Sequence, residues 1–141
     1  MSQCCSNTGT DTAMPGRCRC PVNGLEYGAV RLKTMLHHIR QPWNAPLKEQ
    51  GYYFCSDPEC EVVYFGQDGS IFPRAALRTR VGIKEQGRDD LICYCFGVTK
   101  REAEQNHALR QYVADKTRES MCSCESRNPA GRCCLGDFPK P

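Results

Sequence analysis

Apolar residues fall in short runs along this chain, separated by polar stretches bearing glycine and proline, and their spacing changes midway. Residues 1–17 show no apolar pattern and are rich in Ser, Thr and Gly, the composition of a flexible tail. From Cys18 the chain enters a loop, Pro21-Val22-Asn23-Gly24, with turn chemistry at Asn-Gly. Val30, Met35, Leu36 and Ile39 recur mainly at helical intervals and predict a short helix near 32–40, which Pro42 and Pro46 end. Trp43, beside these prolines, reads as a packing plug. Tyr52-Tyr53-Phe54 and Glu61–Phe65 are β-prone and predict two strands, and Gln67-Asp68-Gly69 turns the second into Ser70-Ile71-Phe72. A short amphipathic piece near 74–80 and an extended Val81–Lys84 follow. The charged Glu85–Asp90, with Gly87, is the candidate linker.

After Leu91 the period becomes helical. Thr99-Lys100-Arg101-Glu102 fits a capping box, in which the threonine hydroxyl covers a backbone amide and the glutamate reaches back, so a helix opens just after Cys95. Ala108, Tyr112, Val113 and Met121 supply the apolar face of a second helix over 107–120. Asn128-Pro129-Ala130-Gly131 is a turn that returns the chain toward residue 122.

Composition changes the picture through one residue type. Twelve of the 141 residues are cysteine. Ten of them form close pairs: Cys4-Cys5, Cys18/Cys20, Cys93/Cys95, Cys122/Cys124 and Cys133-Cys134; Cys55 and Cys60 are spaced C-x4-C. Adjacent and C-x-C cysteines close poor disulfides, but the same spacing lets two thiolates converge on one soft ion or cluster. No apolar run approaches the ~20 residues of a membrane span, and the first residues lack the pattern of a secretory signal. The chain is therefore read as cytoplasmic, without membrane insertion, where paired thiols stay reduced and bind metal.

The formal charge of +3 treats every thiol as neutral. A tetrathiolate zinc site and an oxidised tetrathiolate [2Fe–2S] cluster each carry two excess negative charges, which brings the total close to zero. Bulk charge therefore gives no ground for a nucleic-acid partner. No paired carboxylates, nucleotide loop or nucleophile elbow points to an enzyme.

The cysteine pairs sort by position. Cys55 and Cys60 lie between two predicted strands, where a turn points both thiolates inward, and Cys18 and Cys20 supply two more from a distant loop, closing a tetrahedral zinc site. His37 or His38 is the alternative to one of these cysteines. Some 70 residues with few aliphatics need such a staple to fold. Downstream, Cys93 and Cys95 precede a capped helix whose amides stabilise a negative cluster, and the 128–131 turn returns further thiolates to the same place.

The sequence Cys93-x-Cys95-x-Gly97-Val98-Thr99 before a helix resembles the opening of bacterioferritin-associated ferredoxin-like [2Fe–2S] domains. Taken with Cys122-Ser-Cys124-Glu-Ser-Arg-Asn128-Pro129-Ala-Gly131-Arg-Cys133-Cys134-Leu135-Gly136, it resembles the N-terminal domain of CopZ-type copper chaperones. The likeness runs upstream through Tyr53-Phe54-Cys55-Ser-Asp-Pro-Glu-Cys60 to about Cys18. The 52–60 phrase also resembles treble-clef modules of the TRASH and YHS type. Two departures stand out: the sequence holds no copper-carrying βαββαβ module with its own Cys-x-x-Cys, and Asn23 stands where a Cys-Pro-x-Cys knuckle places its second cysteine.

The resemblance implies an α+β protein, with a small zinc-bound treble-clef-like β unit over 18–88 and a mostly helical [2Fe–2S] unit over 91–141. It implies Cys93, Cys95 and Cys124 as cluster ligands, with Cys134 or Cys133 fourth and Cys134 preferred. Neighbouring side chains diverge, which leaves one of the adjacent pair free without deciding which. The spare thiols Cys4, Cys5, Cys122 and Cys133 are then candidates for Cu(I) or another thiophilic ion such as Hg(II). The expected function is a metallochaperone that binds, and reduces, copper for handover to a copper-transporting ATPase or other acceptor. The alternatives are a [2Fe–2S] electron carrier and a heavy-metal sequestering or sensing module.

Overall fold

The computed structural model describes residues 15–139. Five antiparallel strands form a meander in chain order: β1 (Arg17–Arg19), β2 (Glu26–Val30), β3 (Tyr52–Phe54), β4 (Val62–Gly66) and β5 (Ile71–Pro73). Helix α1 (Leu32–His38) sits between β2 and β3. The β3, β4 and β5 strands and α1 lie where the sequence pattern puts them.

The first hairpin does not follow from that pattern. The loop read at Cys18 is strand β1, paired Cys18 to Tyr27, and Val30 ends β2 rather than opening the helix. Its strands carry little buried apolar surface, so no alternation betrays them. Polar bonds close the hairpin instead: Gly24 takes a left-handed conformation (φ 77°), its N–H donates to the Cys20 carbonyl at 2.9 Å, and the Cys20 N–H donates to the Leu25 carbonyl at 2.8 Å. The Gly82–Lys84 segment, expected to be extended, is a 3-10 turn.

The sheet buries both faces. On one, Tyr52, Phe54, Val63, Tyr64 and Phe72 pack with Met35, Ile39, Leu77 and Val81. On the other, Tyr53, Val62 and Phe65 pack around Cys20, Cys55 and Cys60. A register shift between Val62 and Tyr64 explains how adjacent Val63 and Tyr64 share a face. Trp43 is no plug: it is 75% exposed.

The second half pairs β6 (Leu91–Cys93) with β7 (Val98–Thr99), followed by α2 (Lys100–Gln105), α3 (Ala108–Arg118) and α4 (Cys124–Arg127). The capping box forms as expected, with Thr99 and Glu102 bonding reciprocally, although β7 intervenes between Cys95 and the helix. Of the apolar face expected on α3, Val113 alone is buried; Tyr112 packs edge-on against Phe96 and Met121 is exposed. A separate core unites Ile92, Val98, Ala103, Val113 and Phe138 with Cys93, Cys124 and Cys134.

Side chains of the sheet half hold the 124–131 segment. Thr34 and His38 of α1 donate to the carbonyls of Glu125 and Ser126, the latter from Nε2 at 2.7 Å. The Tyr64 hydroxyl donates to the Pro129 carbonyl at 2.6 Å in a fully buried bond. The charged 85–90 segment is pinned by Arg80–Asp90 (2.7 Å), Arg101–Asp89 (3.1 Å) and Arg88–Glu104 pairs. Among the described residues no helix is long and apolar enough to cross a membrane.

Candidate metal centres

The Sγ atoms of Cys20, Cys55 and Cys60 lie within 4.8 Å of one another, and all three residues are buried. Cys55 closes β3 and Cys60 precedes β4. Between them Asp57 builds the turn, its side chain accepting from the Glu59 N–H at 2.9 Å and its carbonyl from the Cys60 N–H at 3.1 Å. Cys20 arrives from the β1–β2 hairpin. Cys18 packs beside this group, partly buried, but its sulfur is outside the three-atom cluster. Burial pushes the Cys60 thiol up to about 11, so this pocket favours a thiolate only when a cation is present.

Two side chains converge on Cys55. Asn23 Nδ2 lies 3.6 Å from its Sγ, and also bonds Asp57 at 3.1 Å and the Tyr27 hydroxyl at 3.0 Å. The residue standing in place of a knuckle cysteine is thus a hydrogen-bond donor to a sulfur of the cluster. Lys84 is the second. It is 1% exposed, and its Nζ reaches the Asp57 carbonyl at 2.7 Å, the Cys60 carbonyl at 2.9 Å and Cys55 Sγ at 3.8 Å. Burial pulls its pKa down, while the neighbouring thiolates oppose the shift. The one sign of Lys84 in the sequence is a lysine closing the apolar run Val81-Gly82-Ile83, which periodicity alone does not mark as a site residue.

Neither histidine belongs to the thiol group. His38 uses both ring nitrogens elsewhere, Nδ1 with the Thr79 hydroxyl at 2.7 Å and Nε2 with Ser126, and His37 Nδ1 lies 2.8 Å from the Lys33 carbonyl on the surface.

A second sulfur group forms where β6 meets α4 and the C-terminal 3-10 turn. Cys93, Cys124 and Cys134 are buried and Cys95 partly so. Cys95 and Cys124 sulfurs are 3.7 Å apart, and Cys93, Cys124 and Cys134 share one buried core. A hydrogen bond from Cys134 helps bring Cys93 down to about 6. Bonds from Cys134 and Cys95 hold Cys124 well below the usual thiol range, and the two donors are raised in turn. Backbone amides also point at sulfur: Ser123 N–H to Cys95 at 3.1 Å, and Phe96 N–H to Cys93 at 3.4 Å. Cys122 packs partly buried against this core, and Cys133 is exposed. Cys4 and Cys5 lie outside the described residues.

A sheet knuckle of buried thiols beside a second cysteine group defines a cysteine-rich metal-binding protein. Residues 17–78 match a family model described as a zinc binding domain of the CopZ type. The X-ray structure of the Archaeoglobus fulgidus CopZ N-terminal domain superposes with a TM-score of 0.67 at 33% identity, over 87% of this chain and 100% of that one. The copper chaperone CopZ of the same organism is 34% identical over 119 residues, 82% of this chain. This chain belongs to the CopZ-type family, and its sheet half is a zinc-binding unit. It spans 57% of that curated relative's length.

Proposed function

We propose that this chain is a CopZ-type metallochaperone holding one zinc ion, one [2Fe–2S] cluster and a transferable thiophilic cargo. In this reading Cys20, Cys55 and Cys60 bind zinc, with Cys18, which packs beside them, as the fourth ligand. Cys93, Cys95, Cys124 and Cys134 bind the cluster. The donor set fits: Cys95 and Cys124 are paired at 3.7 Å, no three of the four sulfurs lie within 4.8 Å of one another, and two backbone amides already face them. A two-iron group needs such paired thiolates, whereas a single ion needs all four at equal reach. When bound, a [2Fe–2S] group supplies the one-electron chemistry that takes Cu(II) to Cu(I).

Cys122 and Cys133 carry the functional reading. They flank the buried set from the solvent side, close enough to influence each other, and neither is needed for it. Two accessible thiols suit Cu(I), which is stable at low coordination and leaves by ligand exchange to an acceptor such as a copper-transporting ATPase. Cys4 and Cys5 are the second such pair in the sequence.

Anaerobic titration of the metal-loaded protein with Cu(I) tests this. Stoichiometric uptake with zinc and iron unchanged is expected, and uptake should disappear when Cys4, Cys5, Cys122 and Cys133 are all changed to serine. Displacement of zinc or iron by copper would contradict it. Reversible cluster reduction with no copper uptake would favour the electron carrier instead.

A further inference from the structure

We propose that Lys84 is a positioning residue of the zinc site, an internal cation that neutralises thiolate charge and clamps the Cys55–Cys60 turn. The inference rests on the zinc reading of Cys20, Cys55 and Cys60.

The protonation state follows from counting acceptors. Nζ faces three: the Asp57 carbonyl, the Cys60 carbonyl and the Cys55 sulfur. A neutral amine has two N–H donors and an ammonium has three; with Cys55 held as a metal-bound thiolate that has no proton to give, all three contacts need the ammonium. Three thiolates around a divalent ion leave one excess negative charge, which Lys84 cancels within the same buried volume. A fourth thiolate from Cys18 leaves two, and Lys84 halves them. In water such compensation is worth little, but here the lysine is 1% exposed and Cys55 is 0% exposed.

The clamp follows from what the ammonium bonds. Its two carbonyls belong to the turn that aims Cys55 and Cys60, one of them on a ligand residue itself. The lysine is in turn fixed by its own turn. Gly82, two residues earlier, lies so close to β6 that a side chain there would meet the Leu91 carbonyl oxygen at 2.0 Å, and its N–H donates to the Tyr94 hydroxyl at 2.7 Å. Residues that orient metal ligands in this way affect affinity without touching the ion.

The test uses full-length protein loaded with zinc or cobalt(II), comparing wild type, Lys84→Met and Lys84→Arg. Lys84→Met keeps the chain length and removes the charge. It should lose zinc to a competing chelator about 10- to 100-fold more readily, and Lys84→Arg should recover part of that loss. In the cobalt form, removing a cation beside Cys55 raises the energy of the sulfur electrons. The sulfur-to-cobalt charge-transfer band of Lys84→Met should therefore shift to longer wavelength, in whatever fraction remains folded. A purely structural role lowers metal content but leaves the band in place. Zinc retention equal to wild type, or loss with an unshifted band, overturns this proposal alone. A wild-type chain that takes up neither ion at these cysteines overturns the zinc reading with it.

Discussion

Burying a polar side chain is unfavourable unless its donors and acceptors are met. The buried polar residues here, Thr34, His38, Lys84, Asp90 and Asn128, each meet theirs by holding a loop. His38 has a pH consequence. Its Nε2 donates to the Ser126 carbonyl, and in the neutral ring that burial favours Nδ1 accepts from the Thr79 hydroxyl. Burial lowers its pKa, and the nearby His37 and Arg78 push the same way. The unfolded chain therefore takes a proton near the ordinary value of 6.5 while the folded chain resists it. The stability His38 provides is complete above that pH and is lost as pH falls below it. Chemical denaturation of wild type and His38→Gln across this window should show a steeper acid decline in the wild type; parallel curves would deny the neutral buried state. The Asn128 turn was legible because its partners are two and four residues away, whereas Lys84 with Cys60 and His38 with Ser126 lie far apart in the chain and were not.

At the scale of elements, local signals were readable and distant ones were not. The Thr99–Glu102 capping box depends on four consecutive residues and stands in the structure as the sequence predicts. Changing Thr99 to Ala removes the hydroxyl from the Glu102 amide and should lower stability by about 1 kcal/mol in urea denaturation; no loss would mean that the cap contributes nothing. Strands β3 to β5 were readable because aromatic and β-branched residues cluster there. The β1–β2 hairpin was not, since thiols and polar bonds on one end replace the alternating apolar residues that announce a strand. On α3 the spacing marked three apolar residues besides Val113, but the short second core has room for little of that face.

At the scale of the molecule, three cores form among the described residues: a sheet core shared with α1, a thiol-centred core on the opposite sheet face, and a second thiol-centred core in the helical half. Two of the three therefore contain the proposed ligands, so metal and packing are parts of one stability. The cysteine spacing pointed in the sequence to two groups of metal-ligating thiols. It did not show that Tyr64, Thr34 and His38 of the first half would fix the loop carrying Cys124. Through those bonds the sheet half supports the second sulfur group, and chelation of zinc is expected to loosen both.

In the proposed function the two sulfur groups hold different metals. Metal and acid-labile sulfide analysis of anaerobically purified protein, with its ultraviolet–visible spectrum, tests that directly. It should give about two irons, two sulfides and one zinc per chain, with the charge-transfer bands of a [2Fe–2S] centre. Zinc in both sulfur groups, with neither iron nor sulfide, would contradict it.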